Sequence, residues 1–176
     1  MLRLVILLFV VSTFVKNDVE RVSWSDHKKI TWEDFKGRPE AKSMFVASLN
    51  SGISHSYSID NNGYLIKEES DVKAYFYPTL SWYKPELATP SVLRHEQVHF
   101  DISELYARKL RMRVANFEFT SNSNKEIKDI YREIEKGRQE MQQAFDKETI
   151  HSIYGAAEDF WEKKIAQLLK EYDNWK

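Results

Sequence analysis

The sequence predicts an α+β fold in which a small, mostly antiparallel sheet is followed by three helices, and three observations carry that prediction. Residues 44–83 are rich in β-branched and aromatic residues that alternate with polar ones, as half-buried strands do. From Thr89 onward the apolar residues recur every three to four positions in three successive blocks, the pattern of amphipathic helices. A chain of 176 residues that is 42% apolar and 14% aromatic has material for one well-filled core, so residues 17–176 are expected to form one domain.

Residues 1–16 stand apart. Arg3 is a minimal positive start, and Leu4 to Val11 is an unbroken apolar run of the length of an export signal, too short to span a bilayer comfortably. This predicts an exported protein, periplasmic or secreted. No small-x-small cleavage site follows, so the segment is read as a signal peptide or an uncleaved anchor, and membrane association is expected only through it. The chain has no Cys, which excludes disulfides, thiol catalysis and Cys-based zinc sites. With 26 Lys plus Arg against 27 Asp plus Glu, no basic surface for nucleic acid is expected.

The opening segment after the leader, Val22 to Pro39, places Trp24, Ile30, Trp32 and Phe35 between charges, and these large groups are expected to cap the core. His27, between Asp26 and Lys28, reads as solvated. Strands are expected at Phe45–Leu49, Ile53–Ile59 and Val72–Tyr77. The Asp60-Asn61-Asn62-Gly63 stretch is a hairpin turn, because Asn and Gly accept positive φ at little cost. His55 shares a strand face with Ile53, Tyr57 and Ile59 and reads as a sheet residue. Pro78 and Pro85 end strand structure around Ser81-Trp82.

Thr89-Pro90 starts the first helix, with Thr89 as cap and Pro90 at the first helical position, where its missing N–H costs nothing. Val98, Ile102, Leu105, Tyr106 and Leu110 give that helix, expected to run to about Val114, an apolar stripe. Asn122-Ser123-Asn124 caps a second helix carrying Ile127, Ile130, Ile134, Met141 and Phe145, with Gly137 as a weak interruption. Phe160, Trp161, Ile165, Leu168 and Leu169 mark the third.

Chemistry concentrates in His95-Glu96-Gln97-Val98-His99. On a helix this His-Glu-x-x-His spacing puts His95 and His99 one turn apart on one face, where two imidazoles can grip one metal ion, with Glu96 beside them. Catalytic zinc takes three protein ligands and keeps a fourth position for water. The third ligand must come from elsewhere in the chain. His151 is the leading candidate, because it falls between two predicted helices where the chain turns; Glu148 and Glu104 are the carboxylate alternatives. Glu96 is expected to act as general base and then as proton donor to the leaving amine. Tyr154 is a candidate donor to the oxyanion. Asp101 is read either as the acceptor of a ligand ring proton or as a partner of Arg94, Arg108 or solvent.

Beyond these residues the chain resembles the family of predicted secreted bacterial zinc-dependent proteases, a zincin-like group. The matching stretches are Ile30 to Pro39, Asn50 to Ile53, Ser81-Trp82, His95 to Ile102 with Tyr106-Ala107-Arg108, and Phe145 to Ser152. The resemblance implies a zincin-like fold, a metallopeptidase site at His95, Glu96 and His99, a peptide or protein substrate, and His151 as third ligand. After Ser152, Ile153 to Ala157 is more apolar than that pattern, which weakens the role of Tyr154. Two other classes compete: an exported binding or scaffold protein with a structural or inactive metal site, and a zinc amidase acting on cell-wall peptides.

Overall fold

The structure is a computed structural model and describes residues 19–25 and 29–176; the leader and His27 lie outside the described residues. Among the described residues five strands and three α-helices follow in the expected order, so the α+β class holds. The main sheet has three strands, β1 (Val22–Ser23), β3 (Ser51–Ile59) and β4 (Leu65–Phe76), in the order β1-β4-β3 and antiparallel throughout. A second, two-stranded sheet pairs β2 (Ala47–Ser48) with β5 (Trp82–Tyr83).

Two expectations are revised here. The hairpin at residues 60–63 forms, with Gly63 at φ +89°, but β4 begins at Leu65 rather than Val72. Its polar first half lacks an apolar alternation and is strand only because β3 supplies the partner ladder, from Ile59↔Leu65 to Ser51↔Phe76. The expected strand Phe45–Leu49 is reduced to two residues, and it pairs with Trp82–Tyr83, a stretch that two flanking prolines had marked as non-strand.

Helix α1 (Pro90–Asn116) is the central element and packs on β3, β4, α2 and α3. Its start is the expected one: the Thr89 side chain accepts from the Val92 amide at 3.2 Å with Pro90 next in line. Helix α2 (Ser123–Thr149) runs unbroken through Gly137, and α3 (Gly155–Glu171) closes the bundle. The glycine has a packing reason, since a Cβ there would lie 2.9 Å from the Tyr106 ring of α1.

The core under the main sheet joins Ile53, Val72 and Ala74 to Val98, Ile102, Leu105 and Leu110 of α1, Ile127, Ile130 and Phe145 of α2, and Trp161 and Ile165 of α3. A smaller cluster of Ile30, Phe35 and Phe76 meets α1 at Phe100, between Val98 and Ile102 of the main core, with Trp32 stacked on Tyr83 at 4.6 Å. The aromatics of the opening segment thus cap the core as expected.

Candidate metal centre

His95 and His99 lie one turn apart on α1, and their Nε2 atoms are 3.2 Å from each other. The apolar stripe that buries α1 borders this face, so His95 is only 4% exposed and Glu96 equally so. Asp146, in the last turns of α2, meets them: its Oδ1 is 2.9 Å from His99 Nε2 and 3.2 Å from His95 Nε2. Tetrahedral ligands at about 2.0–2.1 Å from zinc are about 3.3 Å apart, so three donors at these separations fit around one small cation. The ligand atoms of His95, His99 and Asp146 all lie within 4.8 Å of one another.

The surroundings favour coordination through Nε2. Glu158, buried in the first turn of α3, holds His95 Nδ1 at 2.8 Å, which orients the ring and leaves Nε2 facing Asp146. The Phe145 ring stacks on His95 at 4.4 Å and meets His99 edge-on at 5.1 Å, fixing both imidazoles. Burial works against charge on His95, but its bonds to Asp146 and Glu158 outweigh burial and raise its pKa to about 9. Burial likewise opposes ionisation of Asp146, yet the two histidines hold its carboxyl well below the usual range. Protons and a cation would therefore compete for these donors.

Glu96 is positioned from the sheet side. Its Oε2 accepts the Leu49 amide, just past β2, at 2.8 Å. Burial raises its pKa, and the nearby histidines and the Leu49 amide oppose that rise. Glu96 and the three donors share a cavity of about 600 Å³ with residues 44–49, Gln142 and residues 150–153.

The expected third ligand, His151, is not among the three atoms that converge. His151 is in the loop after α2, with its side chain half exposed, its ring 4.8 Å from that of Phe45 and its Nδ1 3.6 Å from Asp146 Oδ1. It lines the cavity but stands behind Asp146, because α2 continues to Thr149 and carries Asp146 onto the His pair before the chain turns. Ile150, His151 and Ser152 then take φ of 51°, 49° and 71°, three non-glycine residues in succession in the left-handed region. Such a run is costly for L residues, on the order of 1–2 kcal/mol each, so the surrounding contacts must impose it.

Neither carboxylate alternative joins. Glu148 accepts from Trp161 Nε1 at 2.8 Å, and buried Glu104 bridges Arg108 and Arg111. Tyr154 is exposed at the cap position of α3 and is not part of the cavity wall. Asp101 accepts from Trp24 Nε1 at 2.7 Å and Gln97 Nε2 at 2.9 Å, tying down the opening segment; Glu158 fills the ring-holding role considered for it.

Asp146 and Glu158 were missed by sequence reasoning, although Asp146 had a signal. On α1, His95, His99 and Ser103 are spaced by four; on α2, Arg138, Gln142 and Asp146 are spaced likewise. The two rows face each other antiparallel: Asp146 on the histidines, Gln142 Nε2 3.3 Å from Ser103 Oγ, and Arg138 Nη1 3.4 Å from the same oxygen. Matched polar rows on otherwise apolar helix faces were the readable sign.

Fold and site together define an α+β fold with a two-histidine, one-aspartate cluster, of which His95 is buried and His99 and Asp146 are partly exposed, and an adjacent buried glutamate in an open cavity. Residues 81–152 match a family described as a bacterial protein of unknown function (DUF922), a span that contains His95, Glu96, His99, Asp146 and His151. No curated protein and no solved structure matches the chain.

Proposed function

We propose that the protein is an exported zinc-dependent metallopeptidase, with zinc held by His95, His99 and Asp146 and peptide-bond hydrolysis assisted by Glu96. The observation that carries this reading is the convergence of three donor atoms with a buried carboxylate in one accessible cavity. His95, His99 and Asp146 would hold the zinc, which when bound would supply Lewis acidity to a water and to a substrate carbonyl. Glu96 takes the proton from the attacking water and delivers it to the leaving nitrogen, a role suited to a carboxylate whose proton affinity burial has raised. The Leu49 amide keeps one carboxylate oxygen fixed so that the other is free for that transfer. Glu158 sets the tautomer of His95, and Phe145 keeps both rings in place. Export rests on the apolar run Leu4 to Val11.

One observation favours a second reading. His151 Nδ1 is 3.6 Å from Asp146 Oδ1, so a small swing of its ring would add a fourth protein donor and close the site, as in structural zinc centres. That arrangement would suit a binding or scaffold protein rather than an enzyme.

Zinc quantification and peptide turnover separate these readings. One equivalent of zinc is expected in the wild type and in His151→Ala, with loss in Asp146→Ala; Glu96→Gln should keep its zinc and lose turnover by at least about a hundredfold. Zinc lost in His151→Ala but kept in Asp146→Ala would return the third position to His151. A zinc-loaded wild type that cleaves neither unfolded protein, short peptides nor cell-wall peptides would leave the structural reading.

A further inference from the structure

A second cavity, of about 310 Å³, opens between β3 and α2 and is lined by His55, Tyr57, Ile127, Lys128, Tyr131 and Arg132. It is separate from the metal centre: at 1.5 Å of rise per residue, its part of α2 stands about 20 Å along the helix from Asp146. Its depth, wall and rim differ in chemistry, and together they describe one kind of ligand.

At its depth is His55, whose Nε2 atom is buried and has no hydrogen-bond partner among the described residues. A buried ring nitrogen left unmatched is costly, and a ligand hydroxyl would remove that cost. Burial lowers the His55 pKa against the pull of Asp71, so the ring is neutral at pH 7. A hydroxyl both donates and accepts, so it suits either tautomer of that ring. The wall is made of faces. Tyr57 donates its hydroxyl to Asn124 Oδ1 at 3.1 Å and Tyr131 donates to the Ile53 carbonyl at 2.9 Å, so both offer the cavity their rings, beside Ile127. The His55 ring lies 5.0 Å from that of Tyr57, and a flat aromatic ligand packs well on such surfaces.

The rim is positive. Lys128 and Arg132 are exposed and one turn apart on the same face of α2, and no acidic side chain lines the cavity. Asp129, beside them, is shared between Lys125 and Arg132. We propose that this pocket binds a small aromatic carboxylate that carries a ring hydroxyl. The hydroxyl meets Nε2 of His55, the ring packs on Tyr57, Ile127 and Tyr131, and the carboxylate is held by Lys128 and Arg132 at the mouth. Neither the zinc nor the peptidase reading is needed for this site.

Calorimetric titration with para-hydroxyphenylacetate, with phenylacetate, which lacks the hydroxyl, and with para-hydroxyphenylethanol, which lacks the charge, tests it. The hydroxy acid is expected to bind about fivefold more tightly than either of the others. His55→Phe, which keeps a ring but removes the nitrogen, should erase the preference for the hydroxyl and spare that for the carboxylate. Lys128→Ala with Arg132→Ala should do the reverse, a crossed pattern that a merely loosened pocket does not give. Both cations are exposed, so their replacement keeps the fold and the carboxylate arm decides alone if His55→Phe does not fold. Equal Kd values for the three compounds, no heat at millimolar concentration, or preferences that survive in the variants overturn the proposal. So does binding that requires added zinc or is lost in Asp146→Ala, which would put the carboxylate on the metal centre. A peptide ending in tyrosine that binds where the small acids do not would make the occupant a protein chain end and equally overturn it.

Discussion

Glu158 illustrates how much a single buried carboxylate can govern. It sits 2.8 Å from Nδ1 of His95 yet touches no expected reactant, so it is a positioning residue. Glu158→Ala should weaken zinc binding about 10- to 100-fold in a competition titration, while Glu158→Gln, which still accepts a hydrogen bond, should lose less; equal affinities in all three proteins would remove the role. Asp101 makes a different prediction, about pH. Burial raises its pKa to about 6, against the opposing bonds from Trp24 and Gln97. The folded-state pKa lies above the ordinary value, so between the two the native chain holds a proton that the unfolded chain has released. Its contribution to stability is therefore full below the ordinary value and declines as pH rises to about 6. Asp101→Asn should abolish that decline and gain on the order of 1–3 kcal/mol at pH 7 relative to pH 4. Urea unfolding of both metal-free proteins across that range checks it, and parallel profiles would count against the assignment.

At the scale of elements, the α1–α2 pairing matters most because it delivers Asp146 to the histidines. Gly137 permits the approach, its missing side chain leaving room for Tyr106. Alanine there would gain about 1 kcal/mol of helix propensity but meets a ring at 2.9 Å, and overpacking costs about 1–3 kcal/mol. Gly137→Ala is thus expected to destabilise by about 1 kcal/mol in thermal or urea unfolding. Against a Tyr106→Leu background the same change should become stabilising, a coupling that a double-mutant cycle reads directly. Should alanine stabilise both backgrounds equally, the close approach is not what the glycine serves. The polar rows between these helices belong to the same design: Gln142 donates to the His99 carbonyl and to Ser103, and Ser103 also meets Ser51 of β3 at 2.8 Å. Buried polar groups of this kind fix the helix register that the apolar faces leave loose.

Across the whole molecule the proposed zinc site joins three parts of the chain: α1 supplies two donors, α2 the third and α3 the carboxylate behind them. A cation held there stabilises the folded chain as a unit, by about 2.7 kcal/mol at a free concentration one hundred times its Kd. Zinc should accordingly raise the Tm of wild type and of Glu96→Gln by several degrees, and Asp146→Ala should show little shift. A zinc-independent Tm in the wild type would contradict the site. Glu158, Trp161 and Ile165 all lie beyond residue 152, the end of the matched family span, so both the positioning carboxylate and part of the core come from the C-terminal helix.

Local patterns were enough for the order of elements, the Thr89 cap, the hairpin at residues 60–63 and the face shared by His95 and His99, because propensity, turn chemistry and helical periodicity act within a few residues. The short β2–β5 ladder and the polar half of β4 escaped them, since pairing there depends on a partner distant in sequence. The aspartate that faces the histidines escaped for the same reason. His151 and Asp146 are five residues apart and chemically both suitable, and choosing between them requires knowing how far α2 runs and where it crosses α1. Residue types and spacing alone determined that two histidines and a neighbouring carboxylate stand together on one helix; the tertiary crossing of α1, α2 and α3 decided that Asp146 meets the pair, that Glu158 lies behind His95 and that His151 stands at the rim, because side chains from separate elements converge only through packing.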